Sequence, residues 1–391
     1  MRNLLAKNKK IKIQVISEAK ELVNLENQWN AIVEKSSNNP FLFYDFVKHS
    51  MIHEAKGGTP MVVLLSEGKN IIGIAPLKTR TIFGGRRVEF LQRDLFSDFI
   101  FDRKYRKTCA EYICKFILND LKCNSARFVF SHDSPNLSFF LRHCKLGRIR
   151  LAVYPGKGRR IVPLTSTWVE FEASRPRSRR KDIRRLKRNL SKVGSWKVTC
   201  IEGNRQSEVS KRIFEVEKRS WKETWRDQRG KTDWYLPIIL KASKELSEKK
   251  QDFRLRTWFL ELEGKTIAYL LGIIYKKVAF LVKTSYDNQY RRFSPGIIAH
   301  SVVLQQLFEE SQYEYIDFLT DLKYLQAWTK KCVSRVGVAI ANGVLDEIIL
   351  VLKQKLLFVY RSSPFLNERV QSFLYERRYD PRFNDFLDRF R

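Results

Sequence analysis

The sequence predicts an α/β chain, an α+β mixed-sheet architecture built as two tandem units and followed by a C-terminal basic helical tail. Segments of helical period alternate with short strand-like runs along most of the chain. The order of these segments in the first half recurs in the second. With 391 residues, 43% hydrophobic and 13% aromatic, the chain has enough apolar material for two cores at roughly 100–200 residues per domain.

In the first half, residues 18–32 place Leu22, Leu25, Trp29 and Ile32 three and four apart, a helical period. Ser36-Ser37-Asn38-Asn39-Pro40 breaks it, and residues 41–51 restart a helix-compatible run. Strand-like segments follow at 61–65, 71–78 and 88–92, punctuated by Glu67-Gly68 and Gly84-Gly85. A helix over 109–121 and a strand over 127–131 complete the first set. The second half repeats this order with helices at 207–221 and 234–247, strands at 253–262, 265–275 and 278–286, a helix over 295–310 and a strand over 315–319. The turn Glu263-Gly264-Lys265 echoes Glu67-Gly68-Lys69. The expected domains are 1–160, 161–345 and a basic, aromatic helical tail over 346–391.

Lys and Arg number 74 against 42 Asp and Glu, a net charge of +32. Such a balance implies anionic partners: nucleic acid, acidic lipid headgroups or a phosphorylated ligand. The densest block runs from Arg175 to Arg188, opposed only by Asp182. Ile183, Leu186 and Leu190 share one helical face, so the block reads as a docked helix. Its outer face is open to three readings: a solvated, salt-bridged surface, a contact for anionic lipid or another polyanion, or a tRNA contact. The aromatic, basic tail suits a membrane surface, and equally a helix closing the second core.

The six cysteines form no Cys-x-x-Cys pair, and the five histidines do not fall into zinc spacing with them, so no metal site is expected. Residues 1–10 are polar and basic without a following signal-length apolar stretch, and the apolar run 348–360 is interrupted by Lys353 and Lys355. The expectation is a cytoplasmic protein, peripheral at most to the inner membrane face. Serine hydrolase, HExxH zinc hydrolase and P-loop strings do not occur.

The chemistry concentrates where the apolar strand 278–282 leads through Tyr286-Asp287, Tyr290 and Arg291-Arg292 into Ser294-Pro295-Gly296 and a helix with Ile297, Ile298, Val302, Leu304 and Phe308 on its apolar face. Serine is a good N-cap, and proline in the first turn gives up an amide hydrogen that the helix leaves unpaired. Glycine there exposes backbone amides to an anion favoured by the helix dipole, and Arg291 and Arg292 add charge-assisted bonds to phosphate. The bare alternative is a helix cap without a ligand.

Arg291-x-x-Ser294-x-Gly296 resembles the coenzyme A loop of GNAT acyltransferases, with Ser294 in place of the first glycine. The longer set Tyr286-Asp287, Tyr290, Ser294-Pro295-Gly296, Ile316-Asp317-Phe318, Tyr324 and Trp328 resembles the BioF2-like acetyltransferases of the CelD/BcsL cellulose-biosynthesis family. The Arg179–Arg188 segment, Ser220-Trp221, Lys265-Thr-Ile-Ala268 and, in the first half, Trp29, Gly73-Ile-Ala-Pro76-Leu77 and Asp98 extend that resemblance over roughly residues 20–335. Thr320-Asp321 and Tyr324-Leu325 depart from the family's Gly-Asp and Tyr-Lys steps.

The resemblance implies two tandem GNAT-like domains. The first is degenerate and shapes the acceptor side; the second binds acetyl-CoA or another acyl-CoA. It further implies N-acylation of an amino sugar or related amine, small or lipid-linked, in cell-envelope or exopolysaccharide synthesis. Acyl transfer needs a placed thioester, a deprotonated amine and a stabilised oxyanion. The implied assignments are backbone at Lys283 and Thr284 for the thioester carbonyl, Asp317 as base or acceptor-orienting carboxylate, Tyr324 as acid for the thiolate, and Asp287 as a further carboxylate. Trp221, Tyr286 and Trp328 are candidate acceptor contacts. The competing readings are an arginine pair for Asp317, and core packing for Tyr324, Trp221 and Trp328. The layout also resembles Fem-type peptidyltransferases, which would make aminoacyl-tRNA the donor. A non-catalytic nucleic-acid-binding protein is the alternative from another class.

Overall fold

The computed structural model describes residues 11–53, 58–82, 85–92, 97–146, 150–203, 205–220 and 235–341. The expected tail over 346–391 and Trp221 lie outside the described residues. The chain forms two compact units, one running to Gly156 and resuming at Ser334, the other Lys157–Val333.

In unit 1, strands β1 (Ile11–Ile16), β2 (Thr59–Glu67), β3 (Asn70–Ile82) and β4 (Gly85–Phe90) form an antiparallel series. Strand β4 then pairs in parallel with β6 (Ser125–Ser131), and β6 pairs antiparallel with β13 (Cys332–Ala341). The short β5 (Ile100–Phe101) adds to β3. Helices α1 (Glu26–Ser36) and α2 (Tyr44–His53) fill the β1–β2 connection, and α3 (Arg106–Lys115) fills the β4–β6 crossover. Helix α4 (Leu137–Leu146) follows β6. The core is aromatic: Phe99 lies within 5.0–5.7 Å, centroid to centroid, of Phe90, Phe101, Phe128, Phe130 and Phe140.

Unit 2 uses the same plan. Strands β8 (Trp196–Glu202), β9 (Phe253–Leu262), β10 (Lys265–Tyr275) and β11 (Val278–Tyr286) are antiparallel neighbours. Strand β11 pairs in parallel with β12 (Tyr315–Asp317), and β12 pairs antiparallel with the end of β7 (Arg150–Pro163). Helices α7 (Gln206–Lys218) and α8 (Tyr235–Lys249) lie between β8 and β9, and α9 (Pro295–Glu309) between β11 and β12. The short α5 (Trp168–Ala173) and the basic α6 (Arg177–Ser191) precede β8. The sheet's α6/α9 face buries Ile183, Leu186 and Leu190 with Ile298, Leu304 and Phe308. The expected docking stripe of α6 is thus the observed one.

The two hairpins that look alike in sequence differ in geometry. Glu263 and Gly264 both take positive φ (48° and 74°), a type I′ pattern, whereas in the Gly68-Lys69 loop Gly68 (φ 63°) has positive φ and Lys69 does not. The helix expected over 18–32 is split into a 3-10 turn, Ala19–Leu22, and α1, because Asn24 enters the left-handed region at φ 70°. The expected 109–121 helix changes to a π turn, Phe116–Asp120, in its last part. Strand β7 was not anticipated, and it contains Pro155, Gly156 and Gly158. A Cβ at Gly158 would run into Cys332 Sγ, so glycine there permits close backbone approach. The apolar face of α9 also differs from expectation: Ile297 and Val302 are half-buried, while Ala299, Val303 and Leu307 are buried.

In unit 1, burial pushes the Asp98 carboxyl up to about 6, against hydrogen bonds from Ser134 Oγ (2.6 Å), Asn136 Nδ2 (3.2 Å) and the Phe99 amide (2.7 Å). The folded chain therefore holds this proton more tightly than the unfolded one. The stabilisation is complete below the ordinary carboxylate range and is lost as pH rises through about 6. Denaturant titrations should show native stability, relative to Asp98→Asn, falling by about 2–3 kcal/mol between about pH 4 and pH 7. A difference that stays flat across that window would contradict the assignment.

Candidate active site

The site starts from a fork in the sheet of unit 2. The parallel ladder between β11 and β12 covers Val278–Phe280 against Tyr315–Asp317 and ends there. Strand β11 runs on to Tyr286 in register with β10. The chain leaving β12 stays with β7 instead, through Phe318 N–H to Arg160 O and Arg160 N–H to Thr320 O, each 3.0 Å. At the fork, β11 carries one extra residue, Val282, between Leu281 and Lys283 opposite Gly272 and Leu271. Such a bulge bends the strand and raises its twist. Gly272 suits this position, since a Cβ there would lie 2.8 Å from the Trp258 ring. Lys283 and Thr284, both candidates from the sequence, sit on the diverging part of β11 and are half-buried.

Beyond Tyr286 the chain makes a 3-10 turn, Asn288–Phe293, that opens onto α9. Asp287 caps this turn by accepting from the Gln289 amide at 3.0 Å. Arg291 and Arg292 are exposed on the turn, with the Arg292 guanidinium 4.7 Å from the centre of the Phe293 ring. Ser294 occupies the N-cap position of α9, but its hydroxyl makes no capping bond, because the residue is left-handed (φ 51°, ψ 55°) and not extended. A non-glycine residue there costs about 1 kcal/mol. The Ser294 carbonyl instead accepts the amides of Ile297 (2.9 Å) and Ile298 (3.3 Å). Gly296 lies at the second helical position, where an amide has no intrahelical acceptor. Among the described residues, a Cβ on Gly296 would meet Tyr286 alone, at 3.7 Å, so Tyr286 walls one side of this helix start.

One turn further along α9, His300 is a site residue that the sequence reading did not single out. Its Nδ1 lies 2.6 Å from the Gly296 carbonyl. A carbonyl only accepts, so Nδ1 carries the proton. Burial, partly offset by this bond, lowers the imidazole to about 4 and keeps it neutral at physiological pH. The ring meets Tyr324 edge to face at 5.8 Å and thereby joins Tyr324 to the helix start. Tyr324 is 41% exposed, and partial burial pushes its phenol up to about 12. The spacing from Gly296 to His300 is one helical turn, a usable signal.

Glu217 is the second residue the sequence reading missed, with no local pattern to mark it. It sits at the end of α7, 1% exposed, accepts a hydrogen bond from the Tyr269 hydroxyl and lies 3.6 Å from Lys283 Nζ. Thr284 donates its hydroxyl to the Tyr269 carbonyl at 2.8 Å. A carboxylate, a phenol and an ammonium group thus converge on the diverging segment of β11.

The two expected carboxylates are both held in ion pairs. Asp317 is fully buried at the fork; Arg159 of β7 donates to its Oδ2, and the Leu319 amide donates to Oδ1 at 2.8 Å. Asp287, also fully buried, pairs with Arg219 Nε at 2.7 Å and Lys265 Nζ at 3.3 Å. Arg219 further donates to the Thr266 carbonyl at 3.0 Å, and its own carbonyl accepts the Asn288 amide at 2.9 Å, which ties the end of α7 to β10 and to the loop. Both aspartates brace the site. Trp328 is 1% exposed in the core, with Arg179 5.9 Å over its ring and Arg175 donating to its carbonyl at 2.8 Å. It packs as an anchor, and Gly296, Tyr286, His300 and Tyr324 are the residues drawn together around the helix start.

Residues 177–325 match the family model described as an acetyltransferase (GNAT) domain. That segment is a GNAT-type acyltransferase domain. No curated protein matches the sequence. Among solved structures, the fold is similar to the C-terminal DUF2156 domain of a protein assigned as a lysylphosphatidylglycerol synthetase from Agrobacterium fabrum (13% identity, TM-score 0.54, covering 87% of this chain and 97% of that one). It is also similar to FemX (12%, 0.52, 86% and 99%) and to L-PGS from Bacillus licheniformis (11%, 0.52, 84% and 96%). At these identities the likeness is one of fold.

Removing one partner of a buried ion pair leaves an uncompensated charge, at a cost of about 3–5 kcal/mol. Arg159→Ala should therefore destabilise unit 2 by about that amount, and Arg159→Ala/Asp317→Ala should recover part of the loss in a denaturant double-mutant cycle. Additive losses would mean that the pair does not brace the fork.

Proposed function

We propose that unit 2 transfers an acyl group, acetyl in the first instance, from acyl-CoA to an amine. The observation that carries this reading is the helix start at Gly296, where a Cβ would meet only Tyr286 among the described residues, with exposed Arg291 and Arg292 beside it and the forked β11 next to it. In this reading the amides after Ser294, with Arg291 and Arg292, hold the pyrophosphate, and the backbone at Lys283 and Thr284 faces the thioester carbonyl. Tyr286 walls the donor channel.

Acyl transfer forms an N–C bond and breaks the C–S bond. The amine proton must leave, and the thiolate must gain one. Tyr324, with its pKa near 12, keeps its proton at neutral pH and supplies it to the departing sulfur. Glu217, in contact with Tyr269 and Lys283 at the diverging strand, takes the amine proton, and Asp317, paired with Arg159 at the fork, orients the strand. The resemblance to the BioF2-like CelD/BcsL family supports an amino sugar or related amine as acceptor, small or lipid-linked, in cell-envelope or exopolysaccharide synthesis. Unit 1 starts the corresponding helix, α3, at Tyr105-Arg106 without a glycine, which fits a unit that shapes the acceptor side and holds no donor.

A second reading, with aminoacyl-tRNA as donor, is favoured by the cationic face of α6. Calorimetric titration of the full chain with acetyl-CoA, beside a matched titration with tRNA, separates the two. Gly296→Glu should leave the fold intact, since an acid suits a helix N-terminus, and should weaken acetyl-CoA binding at least ~100-fold through charge repulsion. Normal acetyl-CoA affinity in that variant would displace the donor site. With glucosamine as acceptor, Tyr324→Phe and Glu217→Gln should each lower the rate of thiol release about 100-fold at unchanged acetyl-CoA affinity. Rates within a few-fold of the parent would remove these residues from the reaction.

A further inference from the structure

Helix α6 is built against the usual electrostatic rules for a solvated helix. Its first turn contains no acidic residue but carries Arg177 and Arg179, the wrong sign for the positive end of the helix dipole, and Pro176 at the N-cap supplies no side-chain cap. Ile183, Leu186 and Leu190 face the core. On the opposite side Arg177, Lys181, Arg184 and Arg188 succeed one another at steps of four, three and four, with Arg185 on the flank, and all are exposed. These positions juxtapose like charges at i, i+3 and i, i+4, each pair disfavoured in water. Relief is slight: Arg185 reaches Asp182 at 3.3 Å and Arg184 reaches Glu172 at 3.9 Å, while Arg177, Lys181 and Arg188 make no ion pair among the described residues.

We propose that this stripe is a docking surface for an anionic lipid bilayer. From Arg177 to Arg188 the stripe is about 16 Å long and straight, since α6 is one continuous helix. A plane of lipid phosphates meets every charge of such a stripe at once and needs no other recognition group. The outer stripe presents no aromatic or amide side chain of the kind that stacks on or reads nucleic-acid bases. Because the apolar face of α6 is already buried in the protein, attachment is electrostatic and salt-reversible. Helix α6 packs on the 3-10 turn that carries Arg291 and Arg292, so docking brings the donor loop's own element to the membrane surface. The inference stands apart from the acyl-transfer reading.

The test is co-sedimentation of the full chain with phosphatidylcholine vesicles, with and without about 30 mol% phosphatidylglycerol, at ~50 mM and ~500 mM salt. The comparison protein is the triple variant Arg177→Glu, Lys181→Glu, Arg188→Glu. Arg177→Glu agrees better with the helix dipole, Arg188→Glu in the last turn opposes it, and all three substitutions replace like-charge pairs with opposite-charge ones, so the variant should fold about as stably as the parent, which its denaturant midpoint checks. We expect binding to the anionic vesicles only, lost at high salt and on the order of 100-fold weaker in the variant. Absence of binding by the parent overturns the proposal. Unchanged binding by the variant places any lipid contact elsewhere and equally overturns it. A variant that loses affinity for tRNA while keeping affinity for vesicles would make the stripe a nucleic-acid face instead. Acetyl-CoA titration of the same variant should be unaffected, so failure of the lipid proposal and failure of the donor assignment are read separately.

Discussion

The site depends on where β11 and β12 part. Two parallel strands that remained paired would satisfy each other's backbone and leave no room for a ligand between them. Here the ladder stops at Phe280 and Asp317. Strand β12 is committed to β7, through backbone bonds and the buried pair of Arg159 and Asp317. Strand β11 is committed to β10 and bends at its bulge. A buried ion pair contributes little net stability compared with an apolar replacement. Its contribution here is directional, because it holds the strand that leaves the fork.

Asp287 and Asp317 are each held in a buried ion pair, while Arg291 and Arg292 on the turn before the helix start are exposed. Asp317 and Asp287 hold arginines and backbone amides in place, and Glu217 holds Tyr269 and Lys283. Arg291 and Arg292 face solvent, and Tyr324 retains a phenol proton beside a neutral His300. Fixed donors around a helix start are preorganised for a negatively charged ligand and need little rearrangement to receive one. The net charge of +32 does not choose that ligand; its distribution over particular elements does.

Some of this was legible in the chain because it is local. The stripe Ile183, Leu186 and Leu190 predicts how α6 docks, and Ser294-Pro295-Gly296 predicts where α9 begins. The repeated strand, turn, strand order predicts two like units, and the two sheets share the same series of antiparallel and parallel pairings. What the chain hid is long-range. Arg159 lies 158 residues from Asp317, and no spacing rule links them. Strand β7 carries breakers whose purpose shows only when Cys332 packs on Gly158. Glu217 looks like an ordinary acid on a surface helix until Tyr269 and Lys283 close over it.

The sequence alone therefore determined the alternation of elements, the duplicated plan, the charged helix and the start of α9, since each rests on residues within a turn or two of one another. Tertiary structure decided which carboxylates brace and which face the diverging strand. It gave Ser294 its left-handed backbone without a capping bond, and it placed His300 between Gly296 and Tyr324. Those outcomes follow from burial and partner geometry, properties a residue acquires only when distant strands pair.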